Sequence, residues 1–440
     1  MLFFNSLFKN KNIYLLIIFV AVLISKIFLV STFASSIPFW DQWGCILYNL
    51  LKPYEEGRLT INWLFTTHGE HFIFFTKLST LSIYYLFNGW HPLKEIYFNT
   101  ILHSSSILVF LSLIFKYPTQ KKLFASFSLI FFIVSFSWEN LLWGFQSHFH
   151  FVAIFGFLGM FFTTTNSKIT LGWVSGLMFL VLSFFSSGGG IVFALAVIIT
   201  NVCVLVLNFS KKKEFLWPIA ILISLFIVEY ALTPNFEPHH NLRAKTLEDF
   251  FKSYDLWSSW PININFSGFI VYLPSFYFLI KLKKLKIVKG RDNYMLALII
   301  WSIIQISAIS FARAGVPNPI DQGSRYLDHL AFSICINFVI ILIYFPTKIR
   351  TTSSVIWSFV ILFASFNNLE DLRKNLSVKK EQSIVQKKNM ISYLTTNDST
   401  FIYNKGVFDV PLFKVNKLRM ISTDSTANKI IKKALKVNCR

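Results

Sequence analysis

The chain has 440 residues, of which 54% are hydrophobic and only 14% are charged, against roughly 25% charged residues in ordinary soluble domains. Its mean hydropathy is +0.55. Since one soluble core cannot bury so much apolar surface, this composition excludes a soluble enzyme, a disulfide-rich secreted protein and a disordered chain. The net charge of +21 does not indicate nucleic-acid binding, because the lysines and arginines lie between apolar runs, as they do in the cytoplasmic loops of membrane proteins.

Apolar runs follow one another along most of the chain, and a run of about 20 residues is long enough to cross a bilayer as a helix. They lie near residues 12–33, 71–88, 96–115, 123–138, 150–165, 169–187, 190–209, 215–232, 267–282, 293–312, 327–346 and 352–366. We therefore predict an all-α, polytopic membrane domain over residues 1–366, followed by a polar C-terminal segment, 367–440.

The basic linkers predict which helix ends share a side of the membrane. Lysines and arginines are concentrated in the linkers 116–122, 211–213, 281–291 and 348–350. These linkers are expected on the cytoplasmic side with the N-terminus, so the loops 34–95 and 233–266 and the C-terminal segment face outward. Because the alternation fails if the run 71–88 also crosses, we expect an interfacial helix there and about eleven spanning helices in all.

The first outer loop contains a second helical pattern. Its apolar side chains recur at i, i+3, i+4, i+7, i+8 and i+11, as Trp43, Ile46, Leu47, Leu50, Leu51 and Tyr54. One apolar stripe of this kind predicts a helix that lies in the membrane surface. Asp41 stands at the start of this loop and Glu70 further along, and the next outer loop has Glu139.

Three short segments carry a resemblance to a known family. They are Phe39-Trp40-Asp41-Gln42-Trp43, His68-Gly69-Glu70-His71 and Trp138-Glu139-Asn140-Leu141-Leu142-Trp143-Gly144-Phe145-Gln146. Together with the layout of spans and loops, they resemble the GT-C superfamily of membrane glycosyltransferases, which use polyprenyl-phosphate or dolichyl-phosphate sugars. The resemblance implies inverting sugar transfer at the outer face of a bacterial-type inner membrane, with Asp41 as the catalytic carboxylate. Since Asp41 has no second acid beside it, the resemblance does not extend to a metal, and we expect no cofactor.

The chemistry of sugar transfer suits the residues of the first loop. A base must take the proton of the acceptor hydroxyl, and other groups must stabilise the departing lipid phosphate. Asp41 is the predicted base, with a solvated loop acid in an aromatic belt as the alternative. Glu70, between His68 and His71, is predicted to position the acceptor, and the alternative is an interfacial charge that faces water.

The second outer loop offers groups that bind sugars. Glu139, Trp143 and Gln146 recur at helical spacing, and Asn140 adds an amide. We predict that sugar hydroxyl groups bond to the carboxylate and amides while a sugar ring stacks on the indole. A capped helix turn with an interfacial tryptophan explains the same residues equally well.

A later outer loop contains two arginines on the side where positive charge is not expected. Arg313 and Arg325, with Tyr326 adjacent, are predicted to hold the donor phosphate, since a guanidinium group binds phosphate through two hydrogen bonds and keeps its charge. The alternative is that Asp321 or Asp328 pairs with these arginines.

Two further segments are predicted at the outer face. Residues 246–257 are typical of a capped amphipathic helix that covers the site. The C-terminal segment 367–440 forms a small outer domain or, alternatively, lies on anionic lipid headgroups.

The sequence as a whole favours a glycosyltransferase whose partners are a polyprenyl-phosphate-linked sugar, a glycan or lipid acceptor and membrane lipids, with no nucleic acid. Among enzymes the alternative is an O-antigen-type polymerase, which would depend mainly on outer arginines. From another class, the alternative is a lipid-linked glycan flippase or other transporter. A transporter needs a charged path through the spans, and these spans carry few charges beyond Lys26 and Glu229.

Overall fold

The computed structural model describes residues 11–166, 168–207, 212–282, 290–316, 323–403, 405–406, 408–411, 421 and 423–437. Within these residues the chain is almost entirely helical, with one small antiparallel hairpin in which Thr67 pairs with Phe72 and His68 with His71. The predicted all-α class is therefore confirmed.

The helices and strands are numbered in chain order. They are α1 (Lys11–Phe33), α2 (Gln42–Leu51, of π type), α3 (Lys52–Glu55), α4 (Ile61–Leu64), β1 (Thr67–His68), β2 (His71–Phe72), α5 (Phe74–Leu86), α6 (Pro92–Ile114), α7 (Lys121–Ile133), α8 (Trp138–Leu142), α9 (Ser147–Thr165), α10 (Leu171–Ser186), α11 (Gly190–Leu207), α12 (Lys212–Leu232), α13 (Leu247–Ser259), α14 (Gly268–Leu282), α15 (Gly290–Arg313), α16 (Leu327–Tyr344), α17 (Thr347–Asn367), α18 (Leu369–Thr396) and α19 (Ser425–Leu435). Short 3₁₀ turns lie at Gly144–Gln146, Glu237–Leu242, Ser324–Tyr326 and Ser399–Phe401.

Seven helical segments in the described part of the chain are long and apolar enough to cross a membrane. They contain α1, α6, α9, α11, α15, α16 and α17, and α10, α14 and most of α12 are shorter apolar helices. These helices are typical of a multi-pass membrane protein. Helix α5 has 13 residues, about 20 Å at 1.5 Å per residue, which is less than the hydrocarbon thickness and agrees with an interfacial position.

The segments predicted to share a side of the membrane meet at the same end of the bundle. At one end, Gln120 in a basic linker donates a hydrogen bond to Thr351 (2.7 Å). At the opposite end, which we call the loop end, the described residues of 34–91, 134–146, 233–267, 323–326 and 368–437 contact one another. Among the described residues, the linkers 116–122 and 348–350 thus meet at one end and the loops 34–95 and 233–266 at the other, as the charge pattern predicts.

Aromatic rings fill the centre of the bundle. Phe110, Phe157 and Phe332 form a triangle with ring centroids 4.8–5.0 Å apart, and Trp301 lies 5.0 Å from Phe157. Such pairs add to the area-dependent gain from burying large side chains. The phenylalanine-rich composition therefore supplies a dry core that joins α6, α9, α15 and α16.

The structure corrects the prediction that the first-loop stripe lies in the membrane surface. Trp43, Ile46 and Leu50 on α2 are fully buried in a core that includes Met390 on α18 and Ile431 on α19. An apolar stripe requires a cover, but its spacing does not say whether lipid or protein supplies that cover. Here the C-terminal segment supplies it.

Polar contacts tie the C-terminal segment to the first loop as well. Lys52 pairs with Asp424, and Lys387 donates to Ser36 Oγ (3.0 Å). The Trp40 amide donates to the Pro411 carbonyl (3.1 Å). The C-terminal residues that the structure describes are thus part of one loop-end unit with the first loop.

We expect Ile431→Ala to destabilise the loop-end unit by about 2–5 kcal/mol, because it opens a cavity in a fully buried position. Limited proteolysis of the purified protein measures this as faster cleavage between α18 and α19. Ile384→Ala is the matched control, since Ile384 on α18 is 61% exposed. Equal cleavage of the two variants would contradict the shared core.

Candidate functional site

The predicted base, Asp41, lies where the chain turns from α1 into α2. Trp40 has a left-handed backbone (φ 41°) and Asp41 precedes the first turn of α2. The hairpin brings His68 to it, with Asp41 Oδ1 and His68 Nε2 3.3 Å apart. Burial acts to lower the pKa of His68, but hydrogen bonds to Asp41 and Cys45 outweigh it and raise the pKa to about 10. Asp41 therefore has a protonated imidazole beside it at neutral pH.

Glu70 occupies the tight turn of the hairpin, next to Gly69 with its positive φ of 57°. His239 and Arg243 reach it from the loop 233–266, at 3.5 Å and 2.8 Å from its carboxylate oxygens. The hydrogen bond with His239 and then that with Arg243 lower the pKa of Glu70 to about 2, although burial acts to raise it. A carboxylate held in this way is a weak proton acceptor, which suits positioning better than proton transfer.

His71 is the uncharged member of the hairpin. Burial lowers its pKa to about 4 even though the charge of Glu70 acts to raise it. The ring stacks with His148 at 6.2 Å, and its Nδ1 faces Gly188, where a β-carbon would lie only 2.6 Å away. The glycine turn between α10 and α11 thus provides the space that His71 occupies.

A buried ion pair joins the second outer loop to the start of α16. Glu139 accepts hydrogen bonds from the Arg325 guanidinium (2.8 Å), from the Arg325 amide (3.0 Å) and from Ser324 Oγ (3.0 Å). Ser137 caps α8 by accepting from the Asn140 amide (3.0 Å). The predicted capped turn is therefore present, and the Glu139 carboxylate accepts three hydrogen bonds from residues that lie far away in the sequence.

Asn140 extends this network toward the membrane interior. Its Nδ2 donates to the Arg325 carbonyl and to Asp328 Oδ2, both at 2.8 Å. Asp328 also lies 3.7 Å from His103 and interacts electrostatically with Lys26. The alternative in which Asp328 pairs with the arginines is thus wrong, and Asp321 lies outside the described residues.

The predicted sugar-stacking role of Trp143 is not supported. Its ring packs against Phe39, Trp40 and Phe145 and is only 2% exposed. The predicted helix through Glu139, Trp143 and Gln146 is also interrupted, since α8 ends at Leu142 and Trp143 is extended (φ −127°, ψ 105°). Gly144 packs against Glu95 so tightly that a β-carbon would lie 2.7 Å from it, and this contact redirects the chain.

Gln146 lies in the 3₁₀ turn that follows and is buried. Its side-chain oxygen accepts no hydrogen bond from the described residues. A buried amide of this kind has the capacity to bind another polar group. Its predicted sugar contact stays a prediction.

Arg313 and Arg325 lie on either side of Tyr326. The Tyr326 hydroxyl accepts a hydrogen bond from Arg313 Nε (3.1 Å), and the Arg325 guanidinium lies 5.5 Å from the ring centroid. Arg325 is paired with Glu139, whereas within the described part of the chain Arg313 has no carboxylate partner. The described contacts of Arg313 thus leave its charge available to an anion.

These residues form one contiguous group, the loop-end cluster. Its members are Asp41, His68, Glu70, His71, Glu139, Asn140, Trp143, Gln146, Arg313, Arg325 and Tyr326. Arg325 interacts electrostatically with Asp41, and Arg313 with His71. Phe145 links the rings of His68 (5.2 Å) and His148 (5.7 Å). Every site residue predicted from the sequence therefore lies at the same end of the bundle.

Several neighbours of this cluster were not predicted from the sequence. Among them, His239 and Arg243 reach Glu70 from the loop 233–266. Lys26, His103, His150, Asp328 and His329 form a buried polar group under the cluster, with the rings of His103 and His150 stacked at 4.4 Å. Ionisable residues within apolar runs were the available signal for these.

The described residues contain no group of three or more His, Cys, Asp or Glu side chains that is able to hold a metal ion. No family model matches the chain, and neither a curated protein nor a solved structure is similar to it.

Arg325→Gln should lower the free energy of unfolding by about 3–5 kcal/mol, because it leaves the buried Glu139 carboxylate without its partner. Adding Glu139→Gln removes the unpaired charge and should restore more than half of the loss. Thermal unfolding of the two single variants and the double variant measures the coupling. Losses that simply add would show that the two groups do not stabilise each other.

The His68–Asp41 contact makes stability depend on pH. The pKa of His68 lies above its ordinary value of about 6.5, so its proton stabilises the folded state below that pH. We expect the thermal midpoint to fall as pH rises from about 6.5 to 10, and Asp41→Asn to flatten this fall. The exposed His240 provides the control His240→Gln. An unchanged pH profile in Asp41→Asn would refute the contact.

Proposed function

We propose that this protein is a membrane glycosyltransferase of GT-C-like type, which moves a sugar from a polyprenyl-phosphate carrier to a glycan or lipid acceptor. The observation that carries the proposal is that one end of the bundle holds both a carboxylate beside a histidine, Asp41, and an arginine that lacks a carboxylate partner among the described residues, Arg313. Both stand at the mouth of a membrane-embedded bundle, where a lipid phosphate and a water-borne hydroxyl group meet.

The charges of the loop-end cluster support an anionic ligand. Glu139 is paired with Arg325 and Glu70 with Arg243, while the Asp41 carboxylate lies beside His68. Arg313 has no carboxylate partner among the described residues, is 8% exposed and donates a hydrogen bond to the Tyr326 hydroxyl. A partly desolvated guanidinium binds phosphate more strongly than a fully solvated one, because the local dielectric constant is lower.

An apolar groove beside α15, the helix that ends at Arg313, supports a lipid donor. The groove has a volume of about 410 Å³ between α13, α14 and α15, and its lining includes Tyr254, Phe269, Tyr272, Phe276 and Ile306. Arg313 ends α15, and Trp257 on α13 meets the ring of Tyr326 edge-on at 6.0 Å. An isoprenoid chain in this groove would lie along α15, the helix that ends at Arg313.

The transfer then needs one base and one phosphate-binding group. Asp41 takes the proton of the acceptor hydroxyl, whose oxygen bonds to the anomeric carbon as the bond from that carbon to the phosphate oxygen breaks. The lipid phosphate leaves with the electron pair, and Arg313 stabilises its charge. His68 holds the Asp41 carboxylate in place, and Glu70, Glu139 and Asn140 keep the surrounding loops in position.

The charge pattern supports a loop end that faces outward from a bacterial-type inner membrane, with about eleven spans, the N-terminus inside and the C-terminus outside. The transporter alternative is less well supported, because the triangle of Phe110, Phe157 and Phe332 fills the bundle below the buried polar group. An O-antigen-type polymerase would also depend on the arginines, but it would not require the Asp41–His68 pair.

We expect Asp41→Asn to reduce sugar transfer by roughly 10²- to 10⁴-fold, since it removes the base. Arg313→Gln should reduce it by weakening donor binding, while Arg373→Gln, on the exposed face of α18, should have no effect. Mass spectrometry of surface glycans measures this in cells that lack the protein and carry each variant at equal abundance. Full rescue by Asp41→Asn would overturn the catalytic proposal, and a changed chain length with intact units would indicate the polymerase.

A further inference from the structure

A second cavity lies beside the Glu139–Arg325 pair and is not predicted by the sequence. It has a volume of about 250 Å³, and its lining includes Trp138, Trp260, Asn263, Ser324, Asp371 and Asn375. We call it the tryptophan pocket. It is formed where the second outer loop, the loop after α13 and the junction of α17 with α18 meet.

The pocket has a buried floor and an open rim. Trp260 and Ser324 are 3% and 4% exposed, whereas Asn263 and Asp371 at the rim are exposed. This depth gradient is typical of a site that a ligand enters from the water. The volume lies just under the roughly 300–1,000 Å³ of sites for drug-sized ligands, so the pocket fits one small ring and not an extended chain.

The rim amides are held in defined orientations. Asn263 Nδ2 donates to Asn368 Oδ1 (2.9 Å), and Asn368 Nδ2 donates to the Pro261 carbonyl (2.9 Å). Asn263 also has a left-handed backbone (φ 59°), a conformation that asparagine tolerates better than most residues. The loop is thus built to present these amides, and Asn375 adds a third amide from α18.

The chemistry of the lining selects the ligand. Indole rings offer flat apolar faces, and amide and hydroxyl groups both donate and accept hydrogen bonds. A sugar ring has the complementary surface, with an apolar C–H face and hydroxyl groups around its edge. A lipid chain would cover the amide and hydroxyl groups of the lining without offering them further hydrogen bonds, which is unfavourable. Because Asp371 is the only charged residue among the described residues of the lining, an acidic sugar is disfavoured.

The position of the pocket connects it to the loop-end cluster. Ser324, which lines the pocket, donates to Glu139 Oε2 (3.0 Å), and Trp138 directly precedes Glu139. We infer that the tryptophan pocket binds one uncharged or amino sugar ring of the acceptor glycan. This inference rests on the proposed function, since it assigns the acceptor of that reaction to a site adjacent to Glu139.

The test is direct binding of simple glycosides to the full-length protein in lipid nanodiscs, observed by saturation-transfer NMR. The probes are methyl glucoside, methyl N-acetylglucosaminide and methyl glucuronide. We expect the first two to bind and the glucuronide to bind roughly tenfold more weakly. Asn375→Leu should weaken binding roughly fivefold to tenfold by removing hydrogen bonds. Trp138→Phe, a smaller change, should weaken it less.

The matched control is Asn428→Leu on α19, a half-buried asparagine outside the pocket, which should leave binding unchanged. Absence of glycoside binding, or binding that Asn375→Leu does not alter, would overturn the pocket assignment without affecting the Asp41 and Arg313 results. Equal binding of the glucuronide would overturn the charge preference. Glycoside binding in the pocket combined with full rescue by Asp41→Asn would overturn its role as an acceptor site.

Discussion

The ion pair between Glu139 and Arg325 holds together two parts of the chain that are 186 residues apart, and the geometry of the loop end depends on it. A carboxylate as deeply buried as that of Glu139 is strongly unfavourable unless it is paired and its remaining lone pairs accept hydrogen bonds. Arg325 and Ser324 meet both conditions. Asn140 then bonds to the Arg325 carbonyl, so the second outer loop and the start of α16 form one unit.

The same constraint separates structural charges from the charge that is available to a ligand. Near a membrane each charged group requires a partner, and Glu70 is held by Arg243 as Glu139 is by Arg325. Arg313 is hydrogen-bonded to Tyr326 but has no carboxylate beside it in the described part of the chain. An arginine placed in this way favours binding of an anion, and the apolar groove beside α15 is the reason why we propose a lipid-linked anion.

Helical segments were well predicted because their signals are local. Hydropathy marked the spans, and the capping box of Thr246 and Asp249 begins α13 at the expected position. Contacts between distant segments were not predictable in the same way. Neither the partnership of His239 with Glu70 nor the burial of Trp143 follows from spacing, because each depends on which loop lies opposite. The apolar stripe on α2 predicts correctly that these side chains are covered. The predicted cover was lipid, whereas the structure shows the C-terminal segment there.

The sequence by itself determined that this is an all-helical, multi-pass membrane protein whose polar loops gather at two ends, because apolar length and charge distribution act through the solvent and need no tertiary partner. It also indicated Asp41 and the two arginines as chemically useful. Only the tertiary structure decided which of these groups are already paired, which arginine remains available, and that Trp138 and Trp260 enclose a pocket. The physical reason is that charge pairing and cavity shape depend on distances between segments far apart in the chain, and no local pattern encodes those distances.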